Sequence, residues 1–374
     1  MKWMMRIYVI VFITLLAVGG ALVLILPQHD FSENENRVLE EVQAPSVESY
    51  FSGDFQERFE TAVSDQFPLR DMWTGFSTGI RRLMGLRDAG GVYIGKDDYY
   101  FEKKLNKDVP VSQYNKNIGI LKKYIGEHPE THVMLVPSPS AILADNLPAF
   151  APLYDMDAMY ATAKSALGPA FVDTRDALKK GAASTQVYYR TDHHWTTKGA
   201  YAAYLAYSKQ TELPDGFVTA NNAFSSVTDE FLGTTYSKAL EWNAVPDTIE
   251  QMDGVLPANI KVTINGNTPG SVYVPDKLMT KDKYAYFFGG NYADVTIENP
   301  DSENDRELVV FKDSFANCFV PMLIRSYRKI TMIDLRYQTK PIRALMKDRL
   351  NAESLVLYEI SNFATSSEVA RIAI

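Results

Sequence analysis

The chain has a single cysteine in 374 residues, Cys318, so it holds no intramolecular disulfide and no cysteine-built zinc site. It also lacks an excess of positive charge. Its 38 Lys and Arg stand against 46 Asp and Glu, for a net charge of −8, which excludes a general nucleic-acid binder, since that needs a basic face. Histidine is scarce. Of the five present, His29, His128 and His132 stand apart, whereas His193 and His194 are adjacent and follow Asp192. No internal repeat or low-complexity tract is visible. Histidine is the side chain best suited to proton transfer near neutral pH, so the stretch from Tyr188 to Gly199 is the first place to look for chemistry.

What is present begins with an uncharged apolar run from Ile7 to Leu26. Twenty such residues at about 1.5 Å each span roughly the 30 Å hydrocarbon thickness of a bilayer. Lys2 and Arg6 precede the run, which places the N-terminus in the cytoplasm and everything after Pro27 outside. The run is longer than a usual signal-peptide core and no clear A-x-A site follows it, so a retained single-pass anchor is expected rather than a cleaved signal. Beyond it, an apolar content of 46% is enough for a sizeable core, in one large domain or two.

Phe51, Phe55, Phe59 and Val63 recur at intervals of four, the spacing of a core-packing helix, and Pro68 ends that pattern. Val92–Ile94 and Tyr99–Phe101 around the Gly95–Asp98 turn predict a hairpin. Helices over Ser112–Glu127 and Tyr154–Leu167 alternate with strands over Val133–Val136 and Phe171–Asp173, and another helix is expected over Ala200–Ser208, capped by Thr196 or Thr197. A Val-, Thr-, Tyr-, Asn- and Gly-rich stretch from about 214 to 305 reads as a β-rich insertion. The α/β pattern then resumes with a strand over Leu308–Phe311, a helix over Phe315–Tyr327, and strands over Ile330–Leu335 and Leu355–Ile360. Strand and helix alternating in this way predict a parallel α/β sheet flanked by helices.

Ser314 lies between the Leu308–Phe311 strand and the following helix. That junction opens at the carboxyl edge of a parallel sheet, where ligands bind in open α/β folds. A serine hydroxyl needs a base to become a nucleophile, and the base needs a carboxylate to fix its tautomer. Asp192 with His193 or His194 offers both, and spacing alone does not choose between the two histidines. Asp192, His193 and His194 lack a further ligand-rich segment that would complete a metal site. An oxyanion formed at Ser314 would meet the Ser314 backbone N–H, with Gly290, Asn291 or the Asn362 side chain as alternatives for a second donor.

Asp192-His193-His194-Trp195 resembles the name-giving motif of the DHHW family, which looks like the alginate O-acetylation proteins and shares a catalytic module with SGNH (GDSL-type) hydrolases. Further segments resemble the family: Ser32 to Arg37, Asp65 to Arg70, Gly233 to Lys238, Lys312 to Asn317 and Met332 to Tyr337. The resemblance implies an SGNH hydrolase-like fold over residues 91–374, with the insertion at 214–305, a helical linker region over 28–90, and an anchor over 1–27. It implies Ser314 as nucleophile with His194 and Asp192 as relay, because His193 falls on the position that varies among the alginate proteins. Arg336, Asn291 and Asn362 are the residues expected to border the substrate, Arg336 by resemblance only. The familiar SGNH hydrolases place glycine before the Asp-Ser pair and aspartate three residues before histidine. This chain has Lys312 at the first place and a shorter spacing at the second.

The activity so implied is O-acyl transfer, of acetyl, to an exopolysaccharide or cell-wall glycan outside the membrane. It requires no metal or soluble cofactor, and a membrane-bound O-acyltransferase partner would carry the acyl group across. Two other readings remain: a carbohydrate acetylesterase using the same triad, and a non-catalytic scaffold of a glycan-modification complex.

Overall fold

The computed structural model describes residues 2–34, 37–213, 223–267, 269–347, 349 and 352–373. Glu35 and Asn36 of the first family-like segment, and the start of the insertion at 214–222, lie outside the described residues. The chain divides into two compact units, residues 1–90 with 236–244, and residues 91–235 with 245–374.

In the larger unit the apolar runs become a six-stranded sheet. Its strands are β1 (Thr131–Val136), β2 (Lys261–Ile264), β3 (Asp294–Glu298), β4 (Glu307–Lys312), β5 (Lys329–Ile333) and β6 (Glu353–Glu359), in the order β1-β6-β4-β5-β3-β2. The first four in that order run parallel. Strands β3 and β2 add antiparallel at one edge. Both faces are covered, so the middles of the central strands carry apolar residues on both faces rather than alternating. Val309, Phe311, Val133 and Val356 enter one core, and Val310, Leu308, Met134 and Leu355 the other.

The stretch that composition marks as an insertion therefore divides. Its strands 261–264 and 294–298 extend the main sheet, and Phe224–Phe231 pairs with Asp247–Met252 in a separate hairpin. The expected strand at Phe171–Asp173 is only a bridge from Phe171 to Val133. The expected helix over Phe315–Tyr327 is also different. It is one α-turn, Ala316–Phe319, followed by 3-10 turns through Val320–Ser326. Pro321 has no N–H to give an α-helical ladder, so the chain tightens there instead.

The smaller unit carries the N-terminal helix α1 (Lys2–Ile25), which is long and apolar enough to cross a membrane. Helices α2 (Val47–Ser52), α3 (Asp54–Asp65) and α4 (Arg70–Leu83) follow. The four-residue spacing from Phe51 to Val63 does not make one helix. Gly53 interrupts it at φ 90°, a left-handed conformation that glycine adopts without steric cost. Nor does that spacing mark a core face, since Phe51 and Phe59 are exposed. Two family-like segments hold this unit together. Arg37 clamps the buried Asp65 carboxylate at 2.8 and 2.5 Å, and Gln66 both accepts from and donates to the His29 backbone at 2.9 Å.

Candidate active site

Ser314 sits in the turn just after β4, at the carboxyl ends of the parallel strands. The histidine stretch reaches it as a tight loop. Tyr188 and Trp195 bridge across the loop, and the Tyr189 N–H donates to the His194 carbonyl. Asp247 fixes the loop from behind, accepting from the backbone N–H groups of Arg190 and Thr191 at 3.0 and 2.8 Å and from the Thr191 hydroxyl at 2.6 Å. Thr196 caps the helix that follows (Thr197–Thr211) by accepting from the Gly199 N–H, and the Trp195 indole donates to the Phe315 carbonyl at 3.0 Å. That last bond joins the histidine loop to the serine turn across 120 residues of sequence.

These anchors leave three side chains in line. His194 Nδ1 lies 2.5 Å from Asp192 Oδ1, and His194 Nε2 lies 2.6 Å from Ser314 Oγ. A carboxylate at Nδ1 holds the proton on that nitrogen, so Nε2 accepts from the serine hydroxyl. Asp192 is saturated with donors: Oδ1 also accepts from the His194 N–H, and Oδ2 from the Thr234 N–H and hydroxyl, both at 2.8 Å. Burial acts to raise its pKa. The charges of His193 and His194 and the hydrogen bonds from His194 and Thr234 outweigh burial and hold the carboxyl far below the usual range.

His193 does not face the serine. Its Nδ1 is paired with the Thr234 hydroxyl at 2.6 Å, and burial together with the charge of His194 pushes its pKa down. The three groups Asp192, His193 and His194 bring ligand atoms within 4.8 Å of one another. Both ring nitrogens of His194 and both oxygens of Asp192 are already in hydrogen bonds, so a cation there would have to break the relay.

Several site residues carry no signal in the sequence. Tyr284 stacks on the His194 ring, with centroids 3.9 Å apart and planes at 10°, and its hydroxyl donates to the Ser314 carbonyl at 3.2 Å. Phe315 also packs against His194, with ring centroids 4.9 Å apart. Gly233 and Thr234 were visible only as part of a family-like segment. A Cβ on Gly233 would collide with the Asp192 carboxylate. Gly233→Ala is therefore expected to lower kcat on the order of 10²-fold by displacing Asp192, with the circular dichroism spectrum retained. An unchanged kcat would show that the carboxylate has room to move.

The residues expected beside the substrate fall into different settings. Asn291 Oδ1 accepts from Lys312 Nζ at 2.9 Å and from Asn317 Nδ2 at 3.2 Å, which leaves the Asn291 Nδ2 without an acceptor among the described residues. The Ser314 N–H likewise meets no acceptor among them. Asn362 Nδ2 donates to the buried Asp313 carboxylate at 2.9 Å, which uses one of its two hydrogens. Arg336 is clamped on the buried Asp334 by two bonds of 2.9 and 2.6 Å, with its side chain 41% exposed.

Lys312, the departure from the usual SGNH glycine, is fully enclosed and also donates to Asn317 Oδ1 at 2.6 Å. Burial pushes its pKa down to about 8, against the pull of Asp334. The unfolded chain keeps this proton up to its ordinary value of 10.5, so unfolding takes up a proton between those two values. Stability then rises with pH through the window from about 8 to 10.5. Urea melts should show the parent gaining on Lys312→Met between those limits. A constant difference would place the ammonium in a wetter setting.

The fold is SGNH hydrolase-like. Residues 155–333 match the family model described as DHHW protein, and the resemblance carried by the Asp192–Trp195 motif stands on that match. Two solved structures share the fold. A DHHW family protein from Eubacterium siraeum is 21% identical with a TM-score of 0.61, over 76% of this chain and 95% of that one. Bacillus cereus PatB1, determined with a sulfonyl adduct, is 21% identical with a TM-score of 0.60, over 74% of this chain and 98% of that one. No curated protein matches the sequence.

Proposed function

We propose that the chain is an O-acyltransferase working outside the membrane, moving acetyl groups to an exopolysaccharide or cell-wall glycan through an acyl-serine. The observation that carries this reading is the unbroken relay from Asp192 through His194 to Ser314. Ser314 Oγ attacks the acyl carbonyl as its proton passes to His194 Nε2. The tetrahedral oxyanion is met by the Ser314 N–H and the free Asn291 amide. His194 returns the proton to the leaving group, and the acyl-serine remains. A sugar hydroxyl then attacks the ester carbonyl, giving its proton to His194, and Ser314 leaves with that proton restored.

The apolar α1 and the resemblance to the alginate proteins support an anchored catalytic domain, a glycan acceptor, and a membrane-bound O-acyltransferase partner as the source of the acyl group. A scaffold without chemistry would not require three side chains of unlike kind to meet at hydrogen-bond distance. The test supplies 4-nitrophenyl acetate with and without an oligosaccharide acceptor, and follows acetylated sugar, acetate and the mass of the protein. Acetylated sugar is the expected product. Acetate alone, at a rate indifferent to sugar, would make the chain an esterase. No acyl-protein and no turnover would return it to the scaffold reading.

A further inference from the structure

Helix α4 is packed the wrong way round for a soluble protein. Its inward face is made of small residues. Gly75 and Thr78 are buried, the Thr78 hydroxyl donates to the Ala239 carbonyl at 2.6 Å, and a Cβ on Gly75 would collide with the Trp242 indole and the Leu240 carbonyl. Its large apolar residues point outward. Met72, Trp73, Phe76 and Ile80 are each more than two-fifths exposed, Leu83 is 90% exposed, and Met84 just beyond the helix is 72% exposed. At about 100° per residue these six positions fall in one arc of roughly 120°. A continuous apolar face of this kind needs a partner surface.

The same unit shows what lies at that level. Among the described residues of α1, only Gly19 and Val23 are buried, one turn apart on one side of the helix. A Cβ on Gly19 would stand 3.2 Å from Cε2 of Phe67, so that ring rests on the bare backbone at Gly19. Gly19 lies six residues before the end of α1 at Ile25, about 9 Å along the axis. Phe67 is three residues ahead of α4. With α1 across a bilayer, the entry to α4 therefore sits inside the outer leaflet, at the depth of roughly 5–10 Å where interfacial helices bury their apolar face. Trp73 fits that level, because tryptophan collects at the membrane–water boundary.

We propose that α4 lies in the outer leaflet, with its Met72–Phe76–Ile80–Leu83 face in contact with lipid acyl chains. The chain is thereby held to the membrane by a spanning helix and by a second helix lying in the surface. This rests on the reading of α1 as a retained span. It limits how the smaller unit can tilt on its anchor, because leaning away from the membrane plane would lift this face into water.

The test uses the full chain in vesicles of phosphatidylethanolamine and phosphatidylglycerol, with single nitroxide labels on Phe76→Cys, Ile80→Cys and Leu83→Cys. Asp71→Cys, on the opposite flank of α4, reports the polar side, and Leu15→Cys reports α1. Cys318 can stay, since it is buried and its thiol is pushed up to about 12. Collision with oxygen, which concentrates in lipid, is compared with collision with a water-soluble nickel chelate. The expected result is an oxygen-to-nickel ratio several-fold higher at positions 76, 80 and 83 than at position 71. Ratios equal to that at position 71, with position 15 in lipid, would overturn the proposal while leaving the span intact. An aqueous position 15 would overturn the span and the proposal together. Labels shielded from both reagents would overturn it in favour of a second copy of the chain. Labels that are aqueous in pure lipid but shielded in native membrane vesicles would overturn it in favour of a membrane protein.

Discussion

Ser314→Ala and His194→Ala are each expected to cut acyl transfer by at least about 10⁴-fold, and the double variant to be no slower than either alone. The reason lies in how the two are connected. Nε2 of His194 is the only base at hydrogen-bond distance from Ser314 Oγ among the described residues, and removing either end leaves no path for the proton. The measurement is single-turnover acylation followed by intact mass. The parent should gain one acetyl group on the peptide containing Ser314, and neither variant should. Losses that multiply in the double variant would mean that the two act separately, and the relay would be abandoned. His193→Ala is the internal comparison. It removes one hydrogen bond to Thr234 and leaves the relay in place, so its cost should be about tenfold or less.

Asp192→Asn should approach the same loss, about 10⁴-fold in kcat, through a conflict of donors. The carboxylate accepts on one oxygen from His194 and on the other from the N–H and hydroxyl of Thr234. An asparagine amide must turn its NH₂ toward one of these sets. Facing Thr234, it sets donor against donor. Facing His194, it requires Nδ1 to accept, which moves the ring proton to Nε2 and blocks the serine. Imidazole nitrogen NMR of the variant should show that changed tautomer, and an unchanged one with full activity would remove Asp192 from the relay. Stability carries a second signature. The Asp192 carboxyl is held below its ordinary value of 3.8, so its contribution is fully present above that value and is lost only as pH falls through the lower, folded-state value. The gap in stability between parent and Asp192→Asn that comes from this carboxyl should therefore stay constant from neutral pH down to about 3.8 and close only below it.

Local patterning determined much of this protein. The apolar run at the N-terminus, the apolar strand cores Val133–Val136, Leu308–Phe311 and Leu355–Leu357, and the threonine cap before the helix at 197 follow from side-chain size and polarity alone, because solvent exclusion and capping act over a few residues. Asp192, the His193–His194 pair and Ser314 stood out for the same reason, being rare chemistry at a loop and at a strand end, while only the family resemblance singled out His194 of the two. Where local rules competed with a single residue, the single residue won. Gly53 split the expected helix through Phe51 and Phe59, and Pro321 turned the expected helix after Ser314 into tighter turns.

What only the tertiary structure decided are the contacts made across long sequence separations. His194 and Ser314, 120 positions apart, are brought together by the Trp195 bond to the Phe315 carbonyl, by Tyr284 stacked on the imidazole, and by Gly233 giving room for Asp192. It is the fold that pairs His193 with Thr234 and brings His194, not His193, to Ser314. Lys312 appears in the sequence only as an unexpected charge, and the fold makes it the buried donor that holds the Asn291 and Asn317 side-chain oxygens. No periodicity records such contacts, since each depends on two segments whose spacing along the chain is set by the loops between them and not by either segment itself.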